Sequence, residues 1–139
     1  MTCNILSFDI GIKNLAYCFA NKHNIIKWGI LDIHGKNILE TSENCMRLLH
    51  ETFSQLHIDT ILIENQPVQK NPTMKTIQIL VYSFFVYNKT INAFTYAIHF
   101  VSASKKNKFT TFFDISINCK SKYQQNKKRA IECTRLILC

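Results

Sequence analysis

Two carboxylates stand where a buried strand would end. Asp9 closes the run Asn4-Ile5-Leu6-Ser7-Phe8, and Glu64 closes Thr60-Ile61-Leu62-Ile63. A charge in such a place costs free energy unless it is paired or holds a cation. Brought side by side in one sheet, the two would make half of a divalent-metal site, because magnesium prefers hard carboxylate oxygens. The chemistry such a centre serves is phosphodiester hydrolysis. There, two cations about 3.5–4 Å apart activate a water and offset the charge building on phosphate. The plainer alternative is that each acid is a surface residue at a strand end.

The remaining charge supports the first reading. The chain carries a net +8. Residues 1–69 hold five Lys/Arg and seven Asp/Glu, whereas residues 70–139 hold twelve and two. An acidic half with the candidate ligands and a basic half point to a polyanionic substrate, nucleic acid first among them. Lys105, Lys106, Lys108, Lys120 and Lys122 are interleaved with Phe109, Phe112, Phe113 and Tyr123, a mix suited to a DNA-contacting surface. An ordinary loop is the alternative there. Lys127-Lys128-Arg129, taken alone, reads as a solvated helix face.

Other function classes are disfavoured. The 139 residues suffice for one domain, spanning 1–139, with a real core. No run of about 18 uncharged apolar residues occurs, so no spanning helix and no membrane partner are expected. Asp9 and Lys13 interrupt any signal-type segment at the N-terminus, which predicts a soluble, intracellular protein. The six cysteines (Cys3, Cys18, Cys45, Cys119, Cys133 and Cys139) show no zinc spacing and read as reduced structural thiols. The histidines at 23, 34, 50, 57 and 99 have no mutual metal spacing either.

The elements that must position the acids follow from apolar periodicity. Cys3 to Asp9, Leu15 to Ala20 and Asn24 to Ile33 read as three antiparallel strands, with a tight turn at Gly11 and Trp28 expected in the core. His34-Gly35-Lys36-Asn37 reads as a turn. Thr41 or Ser42 is a candidate cap for a helix carrying Cys45, Leu48, Leu49, Phe53 and Leu56. Thr60 to Glu64 is a short buried strand. Thr73 is expected to cap a long helix with Ile77, Leu80, Val81, Phe84, Phe85 and Tyr87. Its apolar circumference implies burial on two sides, either in a dimer interface or wholly in the core. Phe94 to Ser102 is a further strand, expected parallel to the one ending at Glu64, and Tyr123 to Leu138 a last helix. The order β-β-β-α-β-α-β-α predicts an α/β fold, a mixed five-stranded sheet flanked by helices, matching the ribonuclease H-like fold.

The stretch Phe8-Asp9-Ile10-Gly11-Ile12-Lys13-Asn14-Leu15-Ala16-Tyr17 resembles the first motif of Holliday junction resolvases of poxviruses and related large DNA viruses. The bacterial RuvC and mitochondrial resolvases are similar but more distant. Ile63-Glu64-Asn65-Gln66-Pro67, continuing through Lys70-Asn71-Pro72-Thr73-Met74-Lys75-Thr76-Ile77-Gln78, resembles the second motif. Val101-Ser102-Ala103 and Tyr123 to Ala130 resemble a third and a fourth. The resemblance implies a homodimeric endonuclease that cuts opposed strands of a four-way DNA junction. It would use two magnesium ions per site, with manganese a possible substitute. Asp9 and Glu64 match the first two metal-binding acids, and Lys127 or Lys128 matches a basic position able to hold the scissile phosphate. Lys13, Asn14, Gln66, Lys70 and Arg129 are candidate DNA contacts beside the five lysines of the basic stretch. A viral protein of this kind would work in host cytoplasm or virion.

The chain departs from the family at its end. The resolvase pattern closes with acids on a further C-terminal helix, and that helix is expected to be missing here. Asp114 and Glu132 match neither closing acid. The expectation is therefore weak magnesium binding and impaired cleavage by this polypeptide. Two alternatives stay open: a junction-binding module without catalysis, and a ribonuclease H-like nuclease of RNA–DNA hybrids.

Overall fold

Alternation decides which side of each strand is buried. β1 (Ile5–Asp9) buries Leu6 and Phe8 and turns Ser7 and Asp9 to the other side. β2 (Asn14–Ala20) buries Leu15, Tyr17 and Phe19 in the same way, and pairs antiparallel with β1. The turn between them needs its glycine, because a Cβ on Gly11 would collide with the carbonyl oxygen of Asn14. β3 (Ile25–Asp32) runs antiparallel to β2, with a register shift at Phe19/Ala20.

The structure, a computed structural model, describes residues 3–102. After β3 come α1 (Ile38–Phe53), β4 (Thr60–Asn65), α2 (Pro72–Ile91) and β5 (Ala97–Ser102). The strands form one five-stranded sheet in the order β3-β2-β1-β4-β5, with β4 parallel to β1. The mixed α/β sheet expected from the sequence is thus present. The basic stretch 104–122 and the helix expected at 123–138 lie outside the described residues. The expectation of one domain over 1–139 reaches into the same residues.

Phe8 packs against Phe53 of α1 and Phe85 of α2, so both helices cover the same face of the sheet. Cys45, Leu49, Ile77 and Val81 complete this layer with Ile61 and Ile63 of β4. Burial pushes the Cys45 thiol up to about 11, which suits the inert structural role expected of it. Cys18 is half-buried and Cys3 exposed; all three are free. The other three cysteines lie outside the described residues.

Four local expectations are corrected. Asn37, not Thr41 or Ser42, caps α1; its side chain accepts the Glu40 N–H at 2.9 Å, and Thr41 is buried within the helix. Asn71, not Thr73, caps α2, with Pro72 in the first turn, where its missing N–H costs nothing. Trp28 is not core but 76% exposed. It lies on the edge strand opposite Cys18, on the face that α1 and α2 leave open, together with exposed Ile26 and Ile30. A fourth concerns α2, which is not wholly buried. Ile77, Gln78, Val81 and Phe85 form one buried stripe, while Ile79, Tyr87 and Ile91 are exposed.

Candidate active site

Parallel pairing of β1 with β4 sets Leu6 against Ile61, Ser7 against Leu62 and Phe8 against Ile63. One step further along both strands come Asp9 and Glu64. Side chains alternate, so Phe8 and Ile63 enter the core while the two carboxylates share the opposite face. Adjacent strands lie about 4.8 Å apart, which puts the two acids within reach of one ligand. Asp9 is exposed and Glu64 half-buried. The β2 partner of Asp9 is Ala16, whose small side chain leaves room on that flank.

The loops after β1 and β4 open at this same end of the sheet, because the two strands run in parallel. In the first, Ile10 is buried and anchors the turn, and the Lys13 carbonyl accepts the Ile33 N–H at 3.0 Å. The Lys13 side chain and Asn14 are exposed, Asn14 pairing with Asp32 across the strands. In the second loop Gln66 is half-buried and Lys70 exposed, the Lys70 N–H donating to the Pro67 carbonyl at 3.3 Å. The candidates Asp9, Glu64, Lys13, Asn14, Gln66 and Lys70 are thus gathered at one end. Lys105, Lys106, Lys108, Lys120, Lys122, Lys127, Lys128 and Arg129 lie outside the described residues, as do Asp114 and Glu132.

Sequence reasoning gave no role to Gln78, Lys75 and Asn65, which hold the second loop. Gln78 is only 1% exposed, and its Oε1 accepts the Gln66 N–H at 2.7 Å. Lys75 Nζ donates to Asn65 Oδ1 at 3.0 Å. The available signal was a glutamine in register with the apolar stripe Ile77, Val81 and Phe85, where a polar side chain must have a buried partner.

Hard oxygen donors on neighbouring strand ends suit magnesium or manganese, which keep waters for their remaining positions. Among the described residues no group of three or more His, Cys, Asp and Glu is placed to hold a metal, so the fit rests on this carboxylate pair. A cavity of about 160 Å³ lined by His50, Phe53, Leu56, Ile58, Phe84 and Tyr96 lies at the other end of β4, away from the acids.

Comparison with known proteins places this geometry in a family. The profile of the poxvirus A22 protein family matches residues 4–136. The chain belongs to the poxvirus A22 protein family. This is the viral Holliday junction resolvase family that the four sequence motifs resemble. "Uncharacterized protein L451" of Acanthamoeba polyphaga mimivirus is 32% identical over 99 residues, covering 65% of this chain and 24% of that protein. The A22-family chain therefore spans about a quarter of the length of that relative. Among solved structures, the yeast mitochondrial Holliday junction resolvase Ydc2 superposes with a TM-score of 0.61 at 20% identity, over 94% of this chain and 63% of its own. Thermus thermophilus RuvC in complex with a Holliday junction substrate gives 0.68 at 8% identity, over 98% and 79%. These likenesses establish the RuvC-like fold of the A22-family chain. Among the described residues no helix is long and apolar enough to cross a membrane.

Proposed function

We propose that the chain is a Holliday junction resolvase, a structure-selective endonuclease that cuts four-way DNA by magnesium-dependent phosphodiester hydrolysis. One observation carries this reading: the parallel register that sets Glu64 beside Asp9 in a chain of the poxvirus A22 family. Asp9 and Glu64 would hold the cations. Bound there, magnesium or manganese supplies Lewis acidity and neutralises phosphate charge.

The remaining roles belong to the protein's own groups. Lys13, Asn14, Gln66 and Lys70, at the same end of the sheet, hold the DNA backbone around the scissile phosphate. Such contacts fix register without reading sequence. Lys127 or Lys128 is the candidate for offsetting charge on the phosphate, and Lys105, Lys106, Lys108, Lys120, Lys122 and Arg129 are further candidate DNA contacts. A homodimer gives the two opposed cuts that a four-way junction needs, since a two-fold axis repeats one site on both strands. The exposed apolar residues of α2, Ile79, Tyr87 and Ile91, support that pairing. Work in host cytoplasm fits a viral enzyme of this kind, and one domain over 1–139 fits the family match.

The test is cleavage of a labelled synthetic four-way junction with magnesium, comparing the native chain with Asp9→Asn and Glu64→Gln. Because two acids alone bind magnesium weakly, slow paired symmetric nicks, lost in both variants, are expected. Binding without cleavage by all three proteins would instead indicate a junction-binding module, and preferential cutting of RNA–DNA hybrid a different nuclease.

A further inference from the structure

The pairing of β1 with β4 is fastened at both ends by side chains. At its start, the Asn4 N–H donates to Asp59 Oδ2 at 2.7 Å and Asn4 Nδ2 donates to the His57 carbonyl at 3.0 Å. The Asn4 carbonyl accepts the N–H groups of Asp59 and Thr60 at 2.9 and 3.1 Å. At its far end the fastening is Gln78. Its Oε1 accepts the Gln66 N–H at 2.7 Å and Lys75 Nζ at 3.4 Å, and its Nε2 donates to Asn65 Oδ1 at 3.4 Å. Lys75 closes the ring through Asn65 at 3.0 Å.

A glutamine has no other reason to occupy the buried stripe of α2. An apolar side chain there would fill the space without desolvating an amide. The carboxamide meets the chain at the two residues directly after Glu64, where β4 leaves the sheet and would otherwise fray. We infer that Gln78, with Lys75 and Asn65, is a positioning residue that holds the end of β4 so that Glu64 stays in register beside Asp9. This rests on the reading of Glu64 as a metal ligand. A strand end that drifts separates two ligands that must act on one cation, and supporting contacts of this kind are worth about 10–100-fold in metal affinity or activity.

The experiment uses the full chain and measures Mn2+ binding by calorimetry without DNA, alongside thermal melting and junction affinity without metal. Gln78→Met keeps the volume and removes the hydrogen bonds; Glu64→Gln is the control. The expected result is Mn2+ affinity about 10–100-fold weaker in Gln78→Met, a larger fold-loss than any in metal-free junction affinity. A merely structural role would lower the melting temperature and leave the Mn2+ affinity of the folded protein as it was. If Gln78→Met does not fold, Lys75→Met cuts the same ring at its half-buried side, and the same weakening is expected. Native Mn2+ affinity in the folded ring variant, with loss in Glu64→Gln, overturns the positioning role alone. Native affinity in Glu64→Gln as well overturns the ligand role of Glu64 and the inference with it.

Discussion

The ring of Phe8 meets the ring of Phe53 edge to face, with centroids 5.4 Å apart and planes at 88°. Phe8 is the neighbour of Asp9, so the strand that offers the acid to solvent is anchored one residue earlier in an aromatic cluster. Phe53 also meets Tyr17 at 4.9 Å, joining β1 and β2 to α1. Phe53→Ala should therefore destabilise the fold by about 3–5 kcal/mol, the usual cost of emptying a buried aromatic site. Urea unfolding followed by circular dichroism measures it, and a loss under about 1 kcal/mol would mean the cluster closes around the gap.

Tyr96 gives a pH dependence of known sign. Its hydroxyl is buried and donates to the Phe85 carbonyl at 2.7 Å. Burial pushes its pKa up to about 12, against an opposing backbone contact at Lys89. The folded state therefore favours the neutral phenol. Its contribution is complete below the ordinary tyrosine range near 10 and is lost as pH rises from there through about 12. Tyr96→Phe should cost about 0.5–1.5 kcal/mol at pH 7 by removing that hydrogen bond. The gap between native and variant proteins should narrow across that alkaline window; a constant gap would contradict the assignment.

Trp28 is the only tryptophan and is 76% exposed, so it reports on the open face of the sheet. Its emission should be red-shifted and readily quenched by acrylamide. Trp28→Thr should change stability by no more than about 0.5 kcal/mol, as at other exposed sites. Blue-shifted, protected emission would show that this face is covered in solution.

Lys13 and Lys70 are exposed in the loops that follow Asp9 and Glu64. If each neutralises one phosphate, Lys13→Ala and Lys70→Ala should each reduce the slope of log affinity against log salt by about 1. Junction binding titrated at several salt concentrations, without metal, gives that slope. An unchanged slope removes the residue from the DNA surface.

The carboxylate pair was legible because both acids end apolar runs, and a run of that length in a sheet protein has few other readings. The order of elements through β5 followed from apolar period and turn residues. Caps were less legible: Asn37 and Asn71 were passed over for Thr41 and Thr73, because a polar turn before a helix offers several capping side chains and only backbone geometry selects one. Trp28 failed for a different reason. Alternation divides a strand into two faces without saying which one the helices cover, and Leu31 and Ile33 decide it only when seen buried beneath α1. The circumference of α2 misled in the same way, since an apolar side chain on a helix reports what it would prefer to meet and not what is there.

Asp9 and Glu64 are 55 residues apart, joined by a parallel strand pair whose connection runs through β2, β3 and α1. Contacts at such sequence separation form late, because the loop entropy is lost before the contact is gained. A chain leaving the ribosome carries its first acid long before the second is made. Under the proposed function, a metal centre built on this pair is absent from nascent chains that have not yet reached β4, so the topology itself delays cutting until β1 and β4 have paired.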